Sequence, residues 1–338
     1  MVRLIKAIDA HVGGQALRLV VEGFPRPHGR TLWHQRDSVK RNADALRRAV
    51  VLPPRGHADL VAALLTEPAS PHAHAGLLLM DATGYPSMSG HGVMAATTIA
   101  IERGLIFSRE FDQAEAIVVL DTPAGTVRAR ARLIAHGRTQ RVDAVTMTNV
   151  PAFVHAASEG VRVGTRHLRV DIAFGGAFYA IVDTEATGIP LMPSRLSELR
   201  RLGIDICSSL AASIEPVHPA DANLKGISGV IFTGPPQDPE AHLRNVTVSS
   251  GGSIDLSPGG TGTSAVMAVL DAMGLLPEGQ PFVHEGLGGS LLRGRIVGRS
   301  QVRDTPAIVT EIEGSAWIIG EHTFLLDDDD PFREGLSF

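Results

Sequence analysis

The chain has 338 residues, of which 44% are hydrophobic and 20% charged, with a net charge of −5. That length suits two domains, the composition is globular rather than disordered, and no basic stripe points to nucleic acid. Two tyrosines and two tryptophans are too few for a base-stacking surface, no apolar run approaches the ~20 residues of a membrane span, and one cysteine excludes a disulfide framework.

In chain order, Leu4 to Ile8 reads as a strand, Gly13 and Gly14 as a turn, and Ala16 to Val21 as a second strand ended by Gly23 and Pro25. The opening MVRLIKAIDAHVGG lacks the pattern of a signal peptide, so a cytoplasmic location is the default. Ser38 to Val51 reads as a helix, followed by a polar loop with Pro53, Pro54, Arg55 and Gly56. Ala75 to Met80 is a short apolar run, expected to be a buried strand. PSMSGHG follows, then an apolar, small-residue stretch from Val93 to Ile101 that stops at Gly104, expected to be a buried helix.

The middle third is strand-rich: Ala116 to Leu120, Thr126 to Ile134 and Val142 to Val150. Val170 to Phe174 and Phe178 to Val182 flank Gly175 and Gly176, a hairpin signal. Arg195 to Ile214 reads as an amphipathic helix and Val246 to Ser249 as a strand. SIDLSPGGTG precedes a second apolar stretch, Ser264 to Leu275, and the last sixty residues read as short strands and turns.

The sequence echoes itself. Ser89-Gly90-His91-Gly92 opens one apolar helix, and Gly259-Gly260-Thr261-Gly262 opens another 170 positions later. A helix that is apolar all round is a core helix. The expectation is an α/β fold of two similar domains, each wrapping strands around one central helix. Residues 1–155 form the first, with a tail of about 325–338 returning to it, and 156–324 form the second.

A helix N-terminus offers unpaired N–H groups and partial positive charge, and glycine lets a small anion come close. Two such turns can clamp one carboxylate from opposite sides of a cleft. Both turns also contain G-x-G-x-x-A, at Gly90 to Ala95 and Gly260 to Ala265. A dinucleotide fingerprint would follow a hydrophobic strand and would not occur twice, so that reading is set aside. The nucleophile pattern G-x-S-x-G is not met around Ser87 or Ser89.

Met88-Ser89-Gly90-His91-Gly92 resembles the first active-site motif of the proline racemase family, usually M-C-G-H-G. Asp255 to Ala265, DLSPGGTGTSA, resembles the second, usually D-R-S-P-C-G-T-G-T-S-A. AIDAHVGG, PPRGHADLVAALL, LDTPAGTVRA, VDIAFGGAFYAIVD, His218-Pro219 and DDDDPFREG resemble further family segments in the expected order. The resemblance implies a diaminopimelate-epimerase-like fold with the site between two pseudo-symmetric domains. It implies no metal, no pyridoxal phosphate and no nicotinamide, and a homodimer is a guess from the family. Family substrates are proline and the 4- and trans-3-hydroxyprolines. In the family, two cysteines stand on opposite faces of the substrate Cα. The backbone amides of Gly90, His91, Gly260 and Thr261 would hold the carboxylate, Asp255 would accept from the ring nitrogen, and His91 would flank the first acid/base group. His218 would lie near the cleft.

Ser89 and Gly259 stand where the two cysteines would be, and Leu256 replaces the usual arginine. Gly259 offers no acid or base, so the direct two-base route to inversion is closed. Cys207 matches neither position and reads as a packed core residue in a helix. In trans-3-hydroxy-L-proline the hydroxyl shares a face with the Cα hydrogen, so one group can take the proton and pass it to the leaving hydroxide. The expectation is a lyase making pyrroline-2-carboxylate through Ser89 and His91. The alternatives are a 4-hydroxyproline 2-epimerase or proline racemase with a water at Gly259, and a silent binding protein for proline analogues. His72 and His74 lack a third metal ligand and read as a solvated strand edge. Asp327 to Asp330 read as a solvated turn, and Lys225, Arg200 and Arg201 as surface charges. Asp81 and Tyr85 read as either pocket lining or structural.

Overall fold

A computed structural model describes residues 2–107, 114–136 and 139–336. The chain divides into two compact units, Met1–Met147 with Ser315–Phe338, and Thr148–Gly314.

In the first unit, β1 (Val2–Val12) and β2 (Gln15–Glu22) meet at the Gly13–Gly14 turn, and α1 (Leu32–Val51) leads to β3 (Val61–Thr66) and β4 (Ala75–Met80). Helix α2 (Gly90–Glu102) leads to β5 (Glu115–Thr122), β6 (Gly125–His136) and β7 (Thr139–Thr148). The second unit begins with β8 (Phe153–Val163), β9 (Arg166–Phe174), β10 (Phe178–Asp183), the short α3 (Thr184–Thr187) and α4 (Leu196–Ala211). The hairpin β11 (Val217–His218) and β12 (Asp221–Lys225) precedes β13 (Ile227–Gly234), β14 (Leu243–Ser249) and β15 (Ile254–Asp255). Helix α5 (Gly260–Ala272) is followed by β16 (Phe282–Gly286), β17 (Leu291–Val302) and β18 (Thr305–Gly314). The last strand, β19 (Ala316–Asp327), belongs to the first unit.

The two units repeat one pairing order. From β1 through β2, β3, β4, β5 and β6, successive pairs run antiparallel, parallel, antiparallel, parallel, antiparallel. From β9 through β10, β13, β14, β16 and β17, the order is the same. Each parallel pair needs a crossover, and a helix supplies it: α1 and α2 in one unit, α4 and α5 in the other. The free side of β1 is paired by β19, as that of β9 is by β8.

Helix α2 packs against β1, β2, β3, β5, β6 and β19, and Gly90 to Ala100 are all buried. Helix α5 packs against β8, β9, β10, β17 and β18, and Gly260 to Val269 are all buried. The last glycine of each motif is set by this packing. A Cβ at Gly92 would meet Leu79 Cδ2 at 3.0 Å, and one at Gly262 would meet Ile231 Cδ1 at 3.1 Å.

Several expectations need correction. The divisions fall at Met147/Thr148 and Gly314/Ser315 rather than at 155 and 324. The cause is pairing: β8 is bound along its length to β9, and β19 to β1. Each unit also holds a second long helix beside the central one, α1 against β3 and β4, and α4 against β8, β13 and β14. Helix α1 begins at Leu32, not Ser38, because Thr31 caps it, its Oγ1 accepting from His34 N–H at 3.2 Å. The last sixty residues hold the five-residue β16 and then strands of 12, 10 and 12 residues, longer than the short strands expected. Glycines there look like punctuation but serve inside strands: the ladder of β17 and β18 slips between Ile296 and Gly298, and a Cβ at Gly294 would strike Met267 Sδ at 2.8 Å.

Candidate active site

Ser89 is the N-cap of α2. Its backbone is extended, and its Oγ accepts the Gly92 N–H at 3.1 Å. The same oxygen lies 3.0 Å from His91 Nδ1 and 3.4 Å from Nε2. The Nδ1 contact is the shorter of the two. With Nδ1 unprotonated, the Ser89 hydroxyl donates to His91 while it accepts from the backbone. In that tautomer the hydroxyl has a base at its proton and a helix terminus at its oxygen, an arrangement that can activate a hydroxyl. Both side chains are buried.

The second motif is built differently. Gly259 precedes α5 with φ 70° and ψ 122°, and no side chain caps the helix. Such a backbone is rarely adopted by residues with a Cβ. A Cβ there would meet a single neighbour within 4 Å, Asp255 Oδ2 at 3.3 Å. Asp255 Oδ1 accepts from Ser257 N–H at 2.9 Å and from Ser257 Oγ–H at 2.6 Å, and Gly259 N–H donates to Ser257 Oγ at 3.2 Å. Asn245 Nδ2 donates to the Pro258 carbonyl at 3.0 Å. Behind the turn, Thr263 Oγ1 sits 2.9 Å from Nδ1 of fully buried His284, whose pKa burial pulls down to about 3. The turn is therefore braced, with the carboxylate of Asp255 held at Gly259.

The first turn of α5 is tied to its own unit by a buried polar chain. Asn149 Nδ2 donates to the Gly175 carbonyl at 2.9 Å and to Ser264 Oγ at 2.7 Å, and Ser264 Oγ reaches the Gly260 carbonyl at 3.1 Å. Gly175 has no room for a Cβ, because the Thr261 carbonyl occupies that place.

Within the first unit, Ser89, Gly90 and His91 come together at one helix terminus. Within the second, Asp255, Gly259, Gly260 and Thr261 do the same. His218 is in the second unit, but its ring packs on Phe153 and Phe174 at 5.5 and 4.7 Å between centroids, and burial lowers its pKa. Asp81 Oδ1 accepts from Thr83 and Gly84 N–H groups, and Tyr85 donates to Asp44 Oδ1 at 3.0 Å, so both brace the loop before Ser89. Cys207 is buried in α4, with its thiol pushed up to about 11 by burial. His74 Nδ1 accepts from Val119 N–H at 3.0 Å, and Asp330 pairs with Arg55 at 2.7 Å. Lys225 pairs with Glu215 at 3.2 Å. Among the described residues no cluster of three or more His, Cys, Asp or Glu could hold a metal ion, and no helix is long and apolar enough to cross a membrane.

One residue at the second motif escaped sequence reasoning. Tyr179, on β10, places its hydroxyl 2.8 Å from Thr261 Oγ1, and burial, with the charge of Asp255 adding, pushes its pKa up to about 12. Strand alternation holds the signal: Phe178 enters the cluster with Phe153 and Phe174, so Tyr179 faces the other way.

Two α/β units of matching topology, each with a Gly-rich helix start, define a class of fold. It is shared with a PhzF-family phenazine biosynthesis protein of Bacillus anthracis, at TM-score 0.56 and 12% identity over 96% of this chain and 99% of that one. The fold is thus the diaminopimelate-epimerase-like one that the motifs imply. The chain belongs to the proline racemase family, whose model matches residues 7–337. It is 38% identical over 336 residues to a proline racemase of Clostridioides difficile, covering 98% of both chains. It is 37% identical over 333 residues to a trans-3-hydroxy-L-proline dehydratase of Bacillus cereus, again with 98% of both covered. A hydroxyproline epimerase from Agrobacterium vitis, solved with bound trans-4-hydroxy-L-proline, superposes with TM-score 0.91 at 29% identity, over 99% of this chain and 95% of that one.

Proposed function

We propose that the protein is a cofactor-independent lyase that dehydrates trans-3-hydroxy-L-proline, or a close analogue, to pyrroline-2-carboxylate. The observation that carries this reading is the asymmetry of the two motifs. Ser89 and His91 form a hydrogen-bonded pair, whereas Gly259 has no side chain and a backbone suited to glycine.

In this reading both motifs serve one substrate, a small proline-like amino acid. The N–H groups of Gly90, His91, Gly260 and Thr261 hold its carboxylate, and Asp255 accepts from its ring nitrogen. Ser89 Oγ takes the Cα proton as His91 Nδ1 takes the hydroxyl proton. The Cα electron pair becomes the ring double bond as the C3–O bond breaks. The proton held by Ser89 and His91 goes to the departing hydroxide on the same face, and water leaves. The enamine then tautomerises to the pyrroline. No proton is needed from the opposite face, and the absence of a group at Gly259 costs nothing. A thiol titrates near about 8.5 and a hydroxyl far higher, so Ser89 depends on His91 as its base.

The Agrobacterium vitis epimerase, with its 4-hydroxylated ligand, favours a second reading: 2-epimerisation with water acting on the Gly259 side. Proton NMR in D2O separates the two. Each of L-proline, trans-4-hydroxy-L-proline and trans-3-hydroxy-L-proline is incubated alone with the protein. Water loss from the 3-hydroxylated compound alone is expected. Cα deuteration with formation of an epimer, without water loss, would sink the lyase reading.

A further inference from the structure

We propose that Tyr179 is a positioning residue for the substrate carboxylate, acting through the hydroxyl of Thr261. The proposal rests on the reading that the first turn of α5 receives that carboxylate.

The two helix starts are unequal in hydroxyl groups. At α2, the N-cap itself carries one, on Ser89. At α5, the N-cap is Gly259, and Ser257 is committed to Asp255. Thr261, the second residue of α5, is buried, while the next hydroxyls are engaged elsewhere, Thr263 Oγ1 2.9 Å from His284 Nδ1 and Ser264 Oγ 3.1 Å from the Gly260 carbonyl. Thr261 Oγ1 is met by the phenol of Tyr179 at 2.8 Å.

The direction of that bond matters. A hydroxyl has one proton to donate and two lone pairs to accept with. Burial of Tyr179 disfavours the phenolate and outweighs the opposing effect of the bond to Thr261, and the nearby charge of Asp255 adds to the burial. The phenol therefore keeps its proton over the working range of pH and can donate it to Thr261 Oγ1. Once Thr261 accepts, its own O–H is turned away from the tyrosine and is available to an anion at the helix start. The bond from Tyr179 also polarises that O–H, which strengthens what it donates. The helix amides and the Thr261 hydroxyl then act on the same charge.

A purely structural role is the competing account: Tyr179 would only tie β10 to α5. Calorimetric binding of pyrrole-2-carboxylate, which has the planar ring, the ring N–H and the carboxylate, separates the two. The proteins compared are the unaltered chain, Tyr179→Phe, Thr261→Val, the double variant and Thr261→Ser. Thermal unfolding of each accompanies the binding data. Tyr179→Phe should weaken binding about 5-fold, the scale of one lost hydrogen bond between neutral groups, with its melting temperature nearly unchanged. The double variant should bind no more weakly than Thr261→Val, because Tyr179 has nothing left to act through. Thr261→Ser should restore most of what Thr261→Val loses. Affinity of Tyr179→Phe within twofold of the unaltered chain would overturn the proposal, as would losses that multiply in the double variant. No binding by the unaltered chain would overturn both the proposal and the reading it rests on. Binding by the unaltered chain without turnover of trans-3-hydroxy-L-proline would overturn the lyase reading alone, and the Tyr179 comparison would still decide this point.

Discussion

Ser89 performs two tasks that pull on the same oxygen. As the N-cap it accepts from Gly92, and in the proposed reaction it passes its proton to His91, 3.0 Å away. Removing it with Ser89→Ala should cost at least about 100-fold in the rate of water loss from trans-3-hydroxy-L-proline, the range of a lost general base. The cap lost with it is worth only about 1 kcal/mol, so the protein should remain folded. Ser89→Cys keeps the geometry and substitutes a more acidic group, and should raise the rate of that water loss over the unaltered chain; a fall would mean that the hydroxyl itself is needed. Gly259 calls for the opposite experiment. Gly259→Cys restores the usual family residue, but on a backbone with φ 70° and beside Asp255 Oδ2. It should lose about 1–3 kcal/mol of stability, read as a lower denaturation midpoint. An unchanged midpoint would mean that the turn relaxes at no cost.

At the scale of elements, α2 and α5 are held in two ways. Apolar packing surrounds both, since neither has a polar face. The first turn of α5 also depends on a buried polar chain that begins at Asn149, on the segment between β7 and β8. Asn149→Ala would leave the Gly175 carbonyl without that donor. The expected loss is about 1–3 kcal/mol, with faster amide exchange in the first turn of α5 than elsewhere in that helix. Uniform exchange along α5 would count against the chain acting as a local brace.

For the molecule as a whole, His284 sets an acid limit. The unfolded chain takes up its proton near pH 6.5, whereas the folded chain does so only at about 3. The contribution of this group to stability is complete above about 6.5 and falls as the pH drops towards 3, because only the unfolded state gains the proton. The slope in that window is roughly 1 kcal/mol per pH unit for a single group. His284→Gln should flatten the decline between pH 6.5 and 4 in thermal unfolding. An unaltered slope would show that other groups dominate acid unfolding.

Much of the fold was legible in local sequence because its signals are local. The Gly-Gly turn at Gly13, the apolar runs of β4, α2 and α5, and the hairpin of β9 and β10 announce themselves by composition and period. Strand β3, VAALLT, did not, because a short apolar run with few β-branched residues reads equally as helix. Strand β8 did not either, because Ser158 has φ 55° and the ladder slips twice there, which breaks the alternation a strand is recognised by. The two motifs, with Ser89 and Gly259 as their departures, were likewise fixed by residue order alone. Tertiary structure decided what residue order does not carry. The matched pairing orders depend on hydrogen bonds between strands far apart in the chain, and β19 reaches β1 from the opposite end of it. The contact of Ser89 with His91 depends on a rotamer, and that of Tyr179 with Thr261 on two elements 82 positions apart. His218 shows the same limit in reverse: its place in the motif order suggested the site, and packing seated its ring on Phe153 and Phe174. Composition and order determine which groups a chain owns, whereas the direction in which a hydroxyl points is settled only by what packs around it.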